Sequence, residues 1–453
     1  MKWCLMLLLV GAACSVQEFR EEYIWRSLDF AWPNDSSRAR ALGRMEYQPE
    51  NNALAGIKVW RDRIYLTVPR WKPGVPATLV FIPASSRGSP VLQPFPSWDM
   101  QTIGNCSALQ FVQNIDIDTN GQMWVLDSGT VYTMTDHPDT RCPPKLVVLD
   151  LQNSMTRPRV LEFPDSVLSR TNDSILVDLV LDTDSFIYIS DASKTEPGII
   201  VFNTRNGQAW KVSDSTMQAN PFWDGMVAGK RLPVRMNINA LALSPVSQRA
   251  NRTLFFAPLS SDKLYSISTY ALRNKDLQGR IRSLISDLGN KTSFSQGMMV
   301  DSQGIMYLGL NSMDAIARWD TRTPLQENVH VFTKDSNRMQ WPSTFAIDES
   351  GSLWVISNRL QNFLEGYVRL DEINYRVMRT VTNTKSYLYP EETPMMPSDH
   401  TDHGGFNGTQ SAAEPSDHTD HGGFNHTHNA AARPTSVVLT MITSILTFIW
   451  MSY

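Results

Sequence analysis

A polar side chain stands four or five residues ahead of each of five similar landmarks in this chain. They are Gln113 and Asn114 ahead of Asp118, Asp178 ahead of Asp182, Asn239 ahead of Ser244, Gln296 ahead of Asp301, and Ser343 with Thr344 ahead of Asp348. Brought together by a fold, they form a ring of amides and carboxylates able to accept from a small cation and donate to a hydroxyl. The same residue types also satisfy turn backbones, and that alternative stands beside the first. For proton transfer the candidates are Asp178 and Asp116, each needing a pKa raised by burial to act near neutrality. Histidine offers little in their place. Outside the C-terminal segment there are only His137, in a Pro- and Asp-rich loop, and His330, in an apparent strand. Asp178, Asn239 and Asn114 could also give oxygen ligands to Ca²⁺. No Glu begins a predicted inner strand, although Glu50 lies near the first, so neither a metal nor another cofactor is expected.

What must position these residues is a repeated unit. Four segments run from an apolar stretch into Asp, then five residues, then an aromatic: Asp118 to Trp124, Asp182 to Tyr188, Asp301 to Tyr307, and Asp348 to Trp354. Turn residues follow each Asp: Asn120-Gly121, Asp184-Ser185, Gly304 and Gly351. Val59 to Tyr65 keeps the spacing without the Asp, and Ser244 to Phe255-Phe256 is the same unit with an inserted, sequon-bearing turn. Each reads as strand, tight polar turn, strand. The aromatics recur at intervals of about 47 to 68 residues, which suits a propeller blade with outer loops of varying length. A lone hairpin cannot bury both faces, whereas six packed around an axis can. The expected fold is all-β: a six-bladed β-propeller over residues 16–393, its inner strands lining a channel and starting at one mouth. The returning strands add Asp127, Asp191, Asn311 and Asn358 to that mouth.

Lys2, the apolar run Trp3 to Ala13 and the small residues around Cys14 and Ser15 read as a secretory signal peptide over residues 1–15, too short to span a bilayer. A buried N-terminal helix is the alternative. With Cys4 and Cys14 removed, Cys106 and Cys142 remain; one disulfide between them is the simplest reading in an oxidising compartment, two buried thiols the other. Seven sequons, at Asn34, Asn105, Asn172, Asn251, Asn290, Asn407 and Asn425, fit a secreted glycoprotein. A net charge of −4 with no basic stripe argues against a nucleic-acid partner.

Beyond about Pro390 the composition changes. The unit PSDHTDHGGFN occurs at Pro397 to Asn407 and again at Pro415 to Asn425, and six of the eight histidines lie between His400 and His428. Residues 394–436 therefore read as a disordered linker, too polar to bury a core. Its His pairs could bind Zn²⁺ or Cu²⁺, a solvated stalk being the plainer reading. Residues 437–453 form an apolar tail. With Asn429-Ala430-Ala431 upstream and Arg433 to Ser436 as spacer, it resembles a glycosylphosphatidylinositol attachment signal, which implies an extracellular protein held at the outer membrane surface. A short transmembrane tail and a fully secreted form are the alternatives.

Several blocks resemble the insect Yellow and major royal jelly protein family. They are Trp25 to Pro33, GIKVWRDRIYLTVPRWKPGVP (Gly56 to Pro76), Pro94 to Trp98, MWVLDSG (Met123 to Gly129), CPPKLVVLDL (Cys142 to Leu151), NALALSP (Asn239 to Pro245), APLSS (Ala257 to Ser261) and LWVISNRLQ (Leu353 to Gln361), in the family's order. The resemblance covers roughly Tyr23 to Tyr389 and implies a six-bladed propeller from an insect or related source. The family often has Cys between a blade Asp and its aromatic where this chain has Thr119-Asn120, so the family's disulfide pattern is not carried over.

Some family members bind biogenic amines such as serotonin and dopamine at the channel mouth. That implies a ligand site here at Thr344, Asn358 and Leu360, joined by Asn114, Asp178, Asn239 and Gln296 from the ring. Asp178 could pair with the amine charge. Family members often carry an aromatic where Leu360 stands, so ring stacking is weaker here. Others convert dopachrome to dihydroxyindole in melanin synthesis, which needs a base and an oxyanion stabiliser. Three functions follow as expectations. The first is binding of a small aromatic amine or catechol in the cuticle and melanin pathway. The second is dopachrome conversion in the same pocket. The third is a structural or signalling role in cuticle, eggshell or cell surface.

Overall fold

The computed structural model describes residues 18–153, 156–168, 173–245 and 251–390. The signal segment, Asn172, the duplicated His-rich unit with Asn407 and Asn425, and the apolar tail lie outside these residues.

The Asp acts as a turn-former in three of the four units; in the other, Asp182 pairs with Arg252 and Arg273 instead. Asp118 Oδ1 accepts from the backbone N–H groups of Asn120 (2.9 Å) and Gln122 (3.0 Å). Asp301 does the same for Gln303 and Ile305, and Asp348 for Ser350 and Ser352, all at 2.9 Å. Three residues after each Asp the backbone turns left-handed, at Gly121 (φ 74°), Gly304 (φ 80°) and Gly351 (φ 78°), with Ser185 (φ 69°) in the remaining unit. Glycine adopts this conformation without a Cβ clash. The aromatic six residues on returns to the same carboxylate: Trp354 Nε1 donates to Asp348 Oδ2 at 2.7 Å, and the Tyr307 hydroxyl to Asp301 Oδ2 at 3.3 Å. At Asp301 and Asp348 the carboxylate holds both its own turn and the next strand's aromatic; Asp118 holds the turn alone, and Asp182 the aromatic alone.

These hairpins start six four-stranded antiparallel sheets, the blades of a propeller. Their inner strands are Ile57–Trp60, Val112–Ile117, Leu176–Asp182, Ile238–Leu243, Met298–Val300 and Trp341–Ile347. Blade 6 takes its outermost strand, Arg20–Trp25, from the other end of the chain, paired antiparallel with Tyr375–Val381. Apolar residues of neighbouring blades, such as Leu179 and Ile189 with Leu241 and Phe256, share one buried cluster. Cys106 and Cys142 form a disulfide (S–S 2.04 Å) joining the loops before the first and third strands of blade 2. The sequon residues Asn34, Asn105, Asn251 and Asn290 are all exposed.

Both ends of the channel are covered. At the floor, where the Asp turns lie, Ser302 N donates to Lys385 O (2.8 Å), and Tyr387 enters the channel. At the mouth, the connection from blade 3 to blade 4 crosses the opening. Trp223 packs edge-on against Phe294 (5.2 Å between centroids), Phe294 against Trp341 (5.8 Å), and Lys230 ion-pairs with Glu365 beyond blade 6 (2.6 Å).

Asp348→Ala removes the acceptor of two backbone N–H groups, those of Ser350 and Ser352, and of the Trp354 indole. Ser352 and Trp354 are buried, and a buried donor left unpaired costs about 1–3 kcal/mol, so the urea midpoint should fall with little change in slope. An unchanged midpoint would show that the turn holds itself.

Candidate functional site

Inner-strand side chains alternate between the channel and the blade packing, so one polar residue per strand suffices to line the axis. The structure brings Asn114, Asp178 and Thr344 together around a cavity of about 30 Å³, closed otherwise by apolar residues such as Leu179, Leu241, Met298 and Phe345. Two polar residues not singled out in the sequence complete it, Lys58 from blade 1 and Tyr387 from the floor segment.

Asp178 is the most heavily bonded group at this level. Its Oδ1 accepts from Asn114 Nδ2 (2.6 Å) and Leu179 N (2.9 Å), and its Oδ2 from Leu241 N (2.8 Å). A water-sized opening touches it, while protein encloses it on every other side. That enclosure raises its pKa to about 6, against the opposing pull of the Leu241 N–H, the Lys58 charge and the Asn114 amide. Asp116, one turn of the strand pleat deeper, is fully engaged: Lys58 Nζ lies 2.9 Å from Oδ1 and the Tyr387 hydroxyl donates to Oδ2 at 2.6 Å. Tyr387 accepts in turn from Leu181 N (2.9 Å), and the guanidinium of Arg252 lies over its ring. Burial and the adjacent Asp116 carboxylate push the Tyr387 hydroxyl well above the usual tyrosine range.

Thr344 excepted, the other sequence-nominated residues stand apart from the cavity. Thr344 reaches it but donates its hydroxyl to Ala55 O (2.5 Å). Asn239 turns its amide to the Met236 sulfur (3.4 Å), and Gln296 accepts from the Trp341 indole. Asn358 is buried and donates to Leu54 O (2.8 Å), while its Oδ1 has no partner among the described residues. Leu360 is buried at the start of the helix Leu360–Leu364 beneath the mouth. Asp127 and Asp191 do not line the cavity. Asp127 accepts from Gln110 N, Phe111 N and Gly129 N and pairs with Lys145. Asp191 accepts from Ile175 N and Ser193 N and pairs with Lys211. Their carboxylates tie loops to strand ends. Among the described residues no three His, Cys, Asp or Glu side chains gather as a metal site. His137 and His330 are both exposed, and so is Glu50.

The sequence held a signal for Lys58, a lone cation inside the apolar stretch GIKVW. Tyr387 had none, because it lies after the last blade and reaches the axis only through the path of the chain.

Comparison with known proteins bears on the whole of this frame. The family model described as Major royal jelly protein matches residues 110–387, from the loop before blade 2 to the floor tyrosine. The chain belongs to the major royal jelly protein family. Relatives include Protein yellow of Drosophila yakuba and of Drosophila melanogaster, each 30% identical over 393 residues, covering 83% of this chain and 71% of the relative. Among solved structures, a luciferin-regenerating enzyme aligns over 76% of this chain and 97% of its own at 10% identity (TM-score 0.47). A gluconolactonase from Xanthomonas campestris aligns over 78% and 97% at 12% identity (TM-score 0.43).

Asp178 gives the stability of the chain a pH signature. With the folded pKa of Asp178 raised from 3.8 to about 6, the native state holds this proton more tightly than the unfolded chain. The associated stability is full below the unfolded value and is lost as pH rises through about 6. At 1.36 kcal/mol per unit the loss is about 2–3 kcal/mol. Asp178→Asn, neutral at every pH, should therefore gain on the wild type by roughly that amount between pH 4.5 and 7.5 in urea unfolding. A constant difference across that range would place the Asp178 pKa near the ordinary value.

Proposed function

We propose that this protein is an extracellular member of the family that binds small aromatic amines or catechols at the channel mouth, within the cuticle and melanin pathway. The observation that carries the reading is Asp178. It is a carboxylate facing a small cavity in an otherwise apolar barrel, with Asn114 and Thr344 beside it. Convergent polar groups in an apolar recess suit a ligand with a flat apolar body and one polar end. The cavity of about 30 Å³ takes a single polar group rather than a ring. The ring would have to lie above it, at the mouth, which requires the Trp223-bearing connection to move against the Trp223–Phe294 packing and the Lys230–Glu365 pair. Signal peptide, sequons and apolar tail support a glycosylated protein held by a lipid anchor at the outer cell surface.

Titration calorimetry with dopamine and with serotonin tests this. The wild type should bind at least one of them. Asp178→Asn should weaken binding by roughly tenfold or more, since a hydrogen bond to a charged group contributes about 1.5–3 kcal/mol. No heat from either ligand would leave the structural role in cuticle, eggshell or cell surface.

A second reading, dopachrome conversion, is favoured by one observation: Asp178 has a pKa of about 6, near the optimum for a general base at neutral pH. It would take a ring proton while the electron pair passes to a quinone oxygen, which gains a proton, so that the product is the dihydroxyindole that keeps its carboxylate, an isomer of the substrate. Turnover should then rise as pH passes through about 6 and vanish in Asp178→Asn. A flat pH profile, or full activity in the variant, would remove Asp178 from the chemistry.

A further inference from the structure

Lys58 is the one cation among the described residues lining the cavity that holds Asp178. It sits on the inner strand of blade 1 and lines both this cavity and a second of similar size below it, with Asp116, Met299, Ser386 and Tyr389. Lys58 is therefore the partition between the upper and lower halves of the channel. Asp116 holds its ammonium at 2.9 Å, and Asp116 is itself braced by Tyr387. An ammonium has three donors and no lone pair. The contact with Asp116 occupies one; the side chain also lines the upper cavity, and its charge acts on the Asp178 carboxylate there.

This decides what can enter first. A single polar group descending from the mouth meets Asp178, an acceptor, and Lys58, a donor, in a space of about 30 Å³. The amides and hydroxyls around them are already committed: Asn114 to Asp178 and Ile115 N, Thr344 to Ala55 O. A ring hydroxyl satisfies both walls, donating to the carboxylate and accepting from the ammonium. A primary ammonium can satisfy only Asp178 and is repelled by Lys58. Resting on the proposed ligand reading, we infer that Lys58 is a specificity-determining residue that makes the channel take catechols and phenols hydroxyl-first, with any amine pointing out through the mouth. This reverses the orientation in which the ligand's amine pairs with Asp178. In the second reading the same ammonium faces the oxygen on which negative charge develops.

The test is calorimetry on the full-length protein with dopamine, catechol (hydroxyls, no amine) and phenethylamine (amine, no hydroxyl). The wild type should bind dopamine and catechol, with phenethylamine at least tenfold weaker than dopamine. Lys58→Arg should keep that ratio. Lys58→Met leaves Asp116 buried and unpaired and risks misfolding, so the paired change Lys58→Met with Asp116→Asn is the informative variant; its ratio should fall below about threefold. Phenethylamine binding as tightly as dopamine in the wild type, or an unchanged ratio in the paired variant, would overturn the role of Lys58 and leave the binding reading intact. Silence of all three ligands on the wild type overturns the binding reading, and the selectivity with it.

Discussion

Ring closure is the contact on which every other feature depends. A hairpin blade buries its faces only when it has a neighbour on each side, so an open array of six would leave two apolar faces and two unpaired edges in water. Here Arg20–Trp25 from the start of the chain becomes the outer strand of the blade built from its end, paired from Trp25 opposite Tyr375 to Arg20 opposite Arg379 with one register shift between Glu21 and Tyr23. Arg376 and Glu21 reinforce the junction at 2.6 Å. The same strand also reaches blade 1, through Ile24 N to Gly88 O and the Trp25 indole to Pro90 O. The first and last blades are thereby held together, and only then do six inner strands define an axis. Asn114 and Asp178, 64 residues apart, meet at 2.6 Å because of it.

The axis is where folding and chemistry compete. Burial favours apolar inner strands, and most channel residues obey. The exceptions are stacked in depth: Asp178 with Asn114 above, Lys58 between, Asp116 with Tyr387 below. Each charge faces an opposite charge or a fixed dipole, as buried ions require. Burial opposes the ionisation of Asp178 and of Tyr387 alike, and both line the cavity with Lys58 and Asn114.

The sequence revealed whatever is written locally. A turn carboxylate, a left-handed glycine and a returning aromatic lie within seven residues of one another, so the hairpins could be counted and the blades with them. The site was only half legible. Counting back from each turn put Asn114, Asp178 and Thr344 at the right level, because strand rise is regular. It could not tell which amides would be spent on distant backbone: Asn358 on Leu54, 304 residues away, or Gln296 on the Trp341 indole. Asp127 and Asp191 resembled channel residues in spacing and proved to be loop ties with lysine partners. Lys58 stood in a unit that lacks the Asp, leaving no landmark to count from.

The tyrosine that rises through the floor makes the channel a blind well. Tyr387 is held by a carboxylate, a backbone N–H and an arginine at once, so among the described residues its ring obstructs the way from one face of the propeller to the other. Solute and solvent must share a single doorway. A water at the bottom leaves only past whatever is arriving, so the pace of exchange belongs to the segment bearing Trp223 rather than to diffusion along the barrel. Two molecules drawn to the axis can never occupy it from opposite sides; they exclude one another, and the later arrival waits for the earlier to depart.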